Sequence, residues 1–307
     1  MKEKLKKILY FILVFVLVLL IASIPFYKYR KYGDQFLNNR WKIEQVQNER
    51  QDTFDVMFLG DSTMCMGYSP LYLFKEFGIS SYNCGTPFQW MKDSYDILKM
   101  VQPMQHMKVL VLDINNAYLP FNQYTKFIKM QIFNAFPIFH YHSMLMENNS
   151  NPGINDWKGF HCYTQENPGV NLNYMESDMP EEEMPWLGKS YLEKIREFCA
   201  EKNISLVLTA VPNPMRWNSG KSKAVEEWAQ ENNIAFIDGN QHIQEIGLDG
   251  NTDYMDAGEH VNLNGSTKWM KYLGTVLKQQ YDLKDYRGTD SEKEWDRAIE
   301  ATGVYKD

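Results

Sequence analysis

The stretch FDVMFLGDS, residues 54–62, decides the fold. It reads as a run apolar on both faces, which is what a buried strand of a parallel sheet requires. The run breaks at Gly60 and leaves Asp61 and Ser62 at the strand's C-terminal edge, where ligands sit in open α/β sheets. The segment TMCMG (63–67) can form one helical turn after it, placing Ser62 near a helix N-terminus with unpaired backbone N–H groups. A serine N-cap at an ordinary strand–helix junction has the same sequence, so the tripeptide needs a partner. Near the other end of the chain, MDAGEHVNLNG (255–265) supplies His260 on a loop, with a carboxylate a few positions upstream. A serine hydroxyl becomes a good nucleophile when a histidine takes its proton and a third group orients that histidine.

Working outward, apolar runs alternate with amphipathic segments, the pattern of a doubly wound parallel sheet. The strands are expected at 55–60, 80–85, 109–114, 205–212 and 234–238. Helices are expected at Pro70–Phe77 behind the Ser69 cap, and at 90–101, 186–201, 222–232 and 266–280. The Phe-, Tyr-, Met- and Asn-rich block 117–185 breaks the rhythm and holds Asn-Pro-Gly twice. A structureless connection of that length is unusual, so it reads as a partly helical insertion near the site.

Ahead of the sheet, residues 1–7 (MKEKLKK) are basic and 8–26 (ILYFILVFVLVLLIASIPF) are apolar enough for a bilayer-spanning helix of about 20 residues. No good A-x-A-like site follows, so the segment reads as an uncleaved anchor, with cleavage as the alternative. Lys2, Lys4, Lys6 and Lys7 outnumber Lys28, Arg30 and Lys31 on the far flank, which favours a cytoplasmic N-terminus and a catalytic domain outside. Residues 27–52 read as a stalk, 53–281 as the domain and 282–307 as a polar, peripheral tail. A net charge of −7 over 307 residues excludes a basic stripe for nucleic acid. The four cysteines form no C-x-x-C pair, and their spacing fits neither zinc nor a deducible disulfide.

Two further strand ends carry chemistry. Gly85 in SYNCGTPFQ (81–89) has a backbone N–H that can approach a substrate carbonyl, and a plain turn glycine is the competing reading. LDINNAY (112–118) ends the third strand in Asn115 and Asn116, whose amides can donate to an oxyanion or simply make a polar turn.

The ordered set GDS (60–62), the glycine of NCG (83–85), the asparagine after the third strand and HVN (260–262) resembles the SGNH/GDSL hydrolase superfamily over most of 54–280. That resemblance implies a flavodoxin-like three-layer α/β/α sandwich with Ser62 as nucleophile and His260 as base. Ser62 N–H, Gly85 N–H and the Asn115 amide would form the oxyanion hole, with Asn116 as fallback. Asp61, Asn116, Arg216 and Trp217 are candidates for substrate contact, and neither a metal nor an organic cofactor is implied. Two departures stand out: Asp113 occupies the place of a glycine, and Ala257 occupies the acid position three before the histidine. A one-residue bulge would let Asp256 reach the imidazole instead. Together with the anchor and the pattern of VLTAVPNPMRW (207–217), the chain is similar to the extracytoplasmic partners of membrane-bound O-acyltransferases. Those act in polysaccharide O-acetylation or teichoic acid D-alanylation. A catalytically silent scaffold that binds a glycan or recruits the membrane acyltransferase is the rival, favoured by Ala257.

His140, His142, His161 and Cys162 read as packed or surface residues rather than a metal site. Cys65 reads as a buried small residue. Tyr118, Phe121, Tyr124, Phe127 and Phe133 fit either a substrate groove or the insertion's own core.

Overall fold

A computed structural model describes residues 1–33, 35–145 and 153–305. Asp34 of the expected stalk, 146–152 of the expected insertion (including Asn151-Pro152 of the first Asn-Pro-Gly) and 306–307 of the tail lie outside the described residues.

The chain opens with α1 (Lys2–Ser23), a 3-10 segment Ile24–Tyr32 and α2 (Phe36–Asn48). Then come β1 (Val56–Leu59), α3 (Ser62–Gly67), α4 (Pro70–Phe77), β2 (Ser81–Asn83), α5 (Met91–Val101) and β3 (Val109–Asp113). The middle holds α6 (Gln123–Ala135), α7 (Ile138–Tyr141), α8 (Trp186–Glu201) and β4 (Ser205–Ala210). Last are α9 (Ser219–Glu231), β5 (Ala235–Asp238), α10 (Ile243–Ile246), α11 (Leu263–Gln280) and α12 (Glu292–Thr302).

The five strands form one parallel sheet in the order β2-β1-β3-β4-β5. Alternation along each strand splits the core in two. Met57, Leu59, Leu110, Leu112, Leu206 and Leu208 face α2, α5, α8 and α9. Val56, Phe58, Val109, Val111 and Val207 face α3, α4, α10 and α11. The chain is thus a three-layer α/β/α sandwich of flavodoxin-like order, wound one way from β1 to β2 and the other way from β3 onward. The order reverses between β1 and β3, and at such a switch point the crevice lies beyond the strands' C-terminal ends.

Helices α9 and α11 start three residues before the expected Ser222 and Ser266. The side chains of Asn218 and Asn262 cap them, accepting from Lys221 N–H and from Asn264 and Gly265 N–H. Glycines 220 and 265 hide these starts in the sequence, and each lies too close to neighbouring backbone for a Cβ.

Two expectations are corrected. The stretch read as a stalk is docked onto the sheet: Asn39, Lys42, Ile43 and Val46 lie at i, i+3, i+4 and i+7 on α2, and all four are buried. Two polar residues disguise that inward stripe. Lys42 buries its stem and donates to Gly159 O (2.7 Å), and Asn39 accepts from Thr86 Oγ1 (2.8 Å), next to Gly85. The tail is also packed, because α12 turns Trp295 and Ala298 inward and stacks Trp295 on Phe74, ring centroids 4.6 Å apart.

Helix α1 remains exposed along its apolar length. It is the one candidate membrane span among the described residues, and 22 residues reach about 33 Å. From 153 onward the insertion crosses beside β2, where Lys158 O accepts Asn83 N–H (2.9 Å) and covers that sheet edge.

Candidate active site

Gly60 is required by packing: a Cβ there would lie 2.8 Å from Met64 Cβ and 3.0 Å from Asp113 Cβ. With no side chain at 60, α3 folds back tightly over the end of β1, and Ser62 becomes its first residue. The Ser62 N–H therefore has no intrahelical acceptor. Asp61 turns inward and caps α3, accepting from Thr63 N–H (3.0 Å) and Thr63 Oγ1 (2.8 Å). Burial pushes its carboxyl up from the usual range against those two bonds.

Ser62 Oγ lies 2.8 Å from His260 Nε2, and His260 Nδ1 lies 2.6 Å from Asp256 Oδ2. The loop that achieves this is closed at its ends by the Tyr254–Val261 bridge and by Met255 N–H donating to His260 O (3.0 Å). Inside it, Asp256 Oδ1 accepts the N–H groups of Gly258 (3.1 Å), Glu259 (2.8 Å) and His260 (3.0 Å). Gly258, at φ +107°, makes the turn one residue longer without strain. Partial burial alone would raise the Asp256 carboxyl. The bonds from the His260 ring and from backbone N–H groups outweigh it and hold it at about 2. With Asp256 ionised, Nδ1 carries the proton by the logic of the network, leaving Nε2 as acceptor for the serine hydroxyl. Asp253 points away, buried, with its Oδ2 accepting Asp249 N–H (2.7 Å) and pairing with Lys268 Nζ (2.6 Å). Glu259 pairs with Arg216 at 2.5 Å.

Asp113 explains the departure after β3. Its Oδ1 accepts both Asn115 N–H (3.0 Å) and Asn115 Nδ2 (2.9 Å), and its Oδ2 accepts Tyr68 OH (2.9 Å) and Val211 N–H (3.3 Å). The carboxylate thus joins the ends of β3 and β4 to the turn after α3 and fixes the Asn115 amide, one of whose two hydrogens is left for another acceptor. Burial, then the charge of Asp61, push the Asp113 carboxyl up to about 7 despite those bonds. An unfolded aspartate titrates near ~3.9. Between about 4 and about 7 the native state therefore holds more protons than the unfolded chain, and stability falls as pH rises through that window. Urea unfolding across that range is expected to show the slope, and Asp113→Asn to flatten it.

Three expected placements are corrected. Asn116 is buried and donates to Ser94 Oγ (2.9 Å), because a tight 3-10 turn rotates it away from Asn115. Asp61 is a cap, as described. Gly85 N–H donates to Asn83 Oδ1 (2.9 Å), so the third expected oxyanion donor is engaged inside the protein. A Cβ at 85 would approach Met64 Cγ to 2.8 Å, which accounts for the glycine.

Asn115 instead lines an open cleft of about 310 Å³ with Tyr118, Met215, Arg216, Trp217 and Lys221. Trp217 is held edge-on to Tyr118, its Nε1–H donating to Ser222 Oγ (2.8 Å). The sequence reading missed the roles of Asn83 and Lys221, left Tyr118 between groove and core, and met Asp113 only as a departure from the motif. Asp113, a carboxylate closing a buried strand, left a signal there.

Among the described residues no group of three or more His, Cys, Asp or Glu side chains is placed to hold a metal. His140 stacks on Phe133 (4.5 Å), and burial, with Lys42 adding to it, lowers His161 to about 4. All four cysteines are free, and burial pushes Cys65, Cys84 and Cys199 up to about 12.

No protein-family model matches the chain, and no curated protein matches it. Among solved structures it is similar to a GDSL-like lipase from Bacteroides thetaiotaomicron, at 14% identity over 80% of this chain and 100% of that one, TM-score 0.42. It is also similar to the lipase/acylhydrolase from Enterococcus faecalis, at 12% identity over 75% of this chain and 99% of that one, TM-score 0.42.

Proposed function

We propose that the chain is a membrane-anchored, outward-facing serine esterase or O-acyltransferase of the SGNH/GDSL type, acting on a cell-envelope polysaccharide or teichoic acid. The observation that carries this is the continuous relay Ser62 Oγ–His260 Nε2, His260 Nδ1–Asp256 Oδ2, at 2.8 and 2.6 Å. Ser62 Oγ attacks an ester carbonyl while its proton passes to Nε2, and Asp256 stabilises the imidazolium that forms. The Ser62 N–H and the Asn115 amide receive the developing oxyanion. Collapse releases the alcohol with the proton from Nε2 and leaves acyl-Ser62. A glycan hydroxyl or water then attacks it with His260 again as base. The cleft beside Asn115, with Arg216, Trp217 and Tyr118, is where the acceptor would lie, and a membrane-bound O-acyltransferase would be the acyl source.

A fluorophosphonate serine probe on the full chain tests the reading. Labelling that disappears in Ser62→Ala supports it, and absence of labelling in the wild type favours the silent scaffold, to which the engaged Gly85 N–H lends weight. The oxyanion role has its own signature. Asn115→Ala is expected to lower kcat far more than it changes KM, by roughly 10²–10³. Asn116→Ala is expected to leave kcat near wild type and to cost about 0.5–1.5 kcal/mol in stability by removing its bond to Ser94 Oγ, which keeps its own donation to Gln89 Oε1 (2.8 Å). Steady-state kinetics and urea unfolding on the two variants separate the roles.

A further inference from the structure

Helix α6 carries an exposed apolar face that the proposed chemistry does not use. Tyr124, Ile128 and Ile132, spaced four apart, are 72%, 57% and 42% exposed, with Phe127 beside them and Gln131 the polar residue on that face. Trp186, at the start of α8, extends it through ring contacts with Phe127 (5.6 Å) and Tyr124 (6.0 Å), and Phe139 of α7 continues it. A contiguous apolar patch left in water marks a contact surface.

What covers it follows from where the helix is tied. The hydrocarbon core of a bilayer takes about 20 helical residues, so the 22 residues of α1 bring Tyr27–Tyr32 to the membrane–water boundary. That segment, YKYRKY, has the tyrosine-and-cation composition the boundary favours. The C-terminal end of α6 is bonded directly to it. Tyr27 OH donates to Ala135 O (2.9 Å) and Arg30 Nη1 to Asn134 O (2.8 Å), while Tyr141 OH of α7 donates to Gly33 O (3.1 Å). Phe26, Tyr141 and Met144 close a small apolar cluster around this junction. The patch is therefore continuous with the membrane anchor and held at its exit level. Lys129, turned about 100° from Ile128 on a helical wheel, marks the polar flank.

We propose that α6 and α7 form an interfacial foot whose Tyr124, Phe127, Ile128 and Ile132 insert into the outer boundary of the same bilayer that α1 crosses. This rests on the reading of α1 as a membrane span. The foot adds a second attachment to the single anchor, so the domain cannot swivel about one helix. Because Tyr118 of the cleft and Tyr124 of the foot lie on one short segment, the foot sets the orientation of the cleft relative to the lipid surface.

Nitroxide labels on the full chain in phosphatidylcholine–phosphatidylglycerol vesicles test this, in a Cys162→Ser background that removes the partly exposed thiol. Labels go at Ile128→Cys, Ile132→Cys, Lys129→Cys and, for the anchor, Val14→Cys. Serine-probe labelling of Ser62 in each variant reports on the catalytic site separately. Oxygen collisions exceeding those of a water-soluble nickel reagent at 14, 128 and 132, with the ratio reversed at 129, support the foot. A lipid-like label at 14 with water-like labels at 128 and 132 overturns it and leaves the anchor standing. Shielding from both reagents at 128 and 132 overturns it in favour of contact with a second copy. A water-like label at 14 removes the anchor reading and the foot with it.

Discussion

Ser62→Ala is expected to reduce hydrolysis of a small acetyl ester by several orders of magnitude while leaving the thermal unfolding midpoint near wild type. Removing the nucleophile of a serine triad in a known protease costs about 10⁶ in kcat, because attack then falls to water assisted only by the surrounding donors. The fold is indifferent to the change for structural reasons. Ser62 is the first residue of α3, and the cap of that helix is the Asp61 side chain bonded to Thr63, which the substitution leaves intact. Alanine is a good helix residue, and Gly60, not Ser62, supplies the room under Met64. Steady-state rates with circular dichroism on the same preparations check both halves. A variant that keeps most of its activity would remove Ser62 from the mechanism.

How much of this was legible in the sequence depends on whether a residue's role is set by neighbours along the chain or across it. The strand VMFL is legible because a parallel strand covered on both faces must be apolar throughout, and its end is marked by a glycine that nothing larger could replace. The loop before α11 is legible because a histidine and a carboxylate lie within one turn. Residues 27–52 read as helix-compatible, but the inward packing of α2 is not legible, since two of its four inward residues are Asn39 and Lys42. Their burial becomes tolerable only through Tyr32 O, Thr86 and Gly159 O, the last two far away in sequence. The same holds for α12, whose Trp295 reads as a lone aromatic in a charged tail until Phe74 is opposite it. At the site, consecutive residues diverge: Asp61 and Ser62, or Asn115 and Asn116, point in different directions. Sequence names the pair but not which member faces the crevice. Asp113 illustrates the limit. A carboxylate in place of a glycine reads as a defect of the motif, yet across the fold it gathers Tyr68, Val211 and Asn115 around one group.

Asp256→Asn is expected to lower kcat by about three to four orders of magnitude with little loss of fold, the effect seen when the triad acid of a serine protease is made an amide. The asparagine Oδ1 can still accept from Gly258, Glu259 and His260 N–H, so the turn that carries the histidine persists. The loss falls on the other side of the group. An amide nitrogen facing Nδ1 donates where the carboxylate accepted, so Nδ1 must become the acceptor and the ring proton moves to Nε2. That nitrogen, 2.8 Å from Ser62 Oγ, then has no lone pair for the serine proton. The neighbouring carboxylates separate a specific role from a general loss of charge. Glu259→Gln frees Arg216, which lines the cleft, so KM is expected to move while kcat stays close to wild type. Asp253→Asn weakens a buried pair with Lys268, so about 1–3 kcal/mol of stability is expected to go with kcat unchanged per folded molecule. Kinetics of the three variants, normalised to the folded fraction, decide the matter. Equal rates in all three would leave Ser62 and His260 as a dyad, and a large kcat loss in Asp253→Asn alone would move the acid seven residues upstream of the histidine.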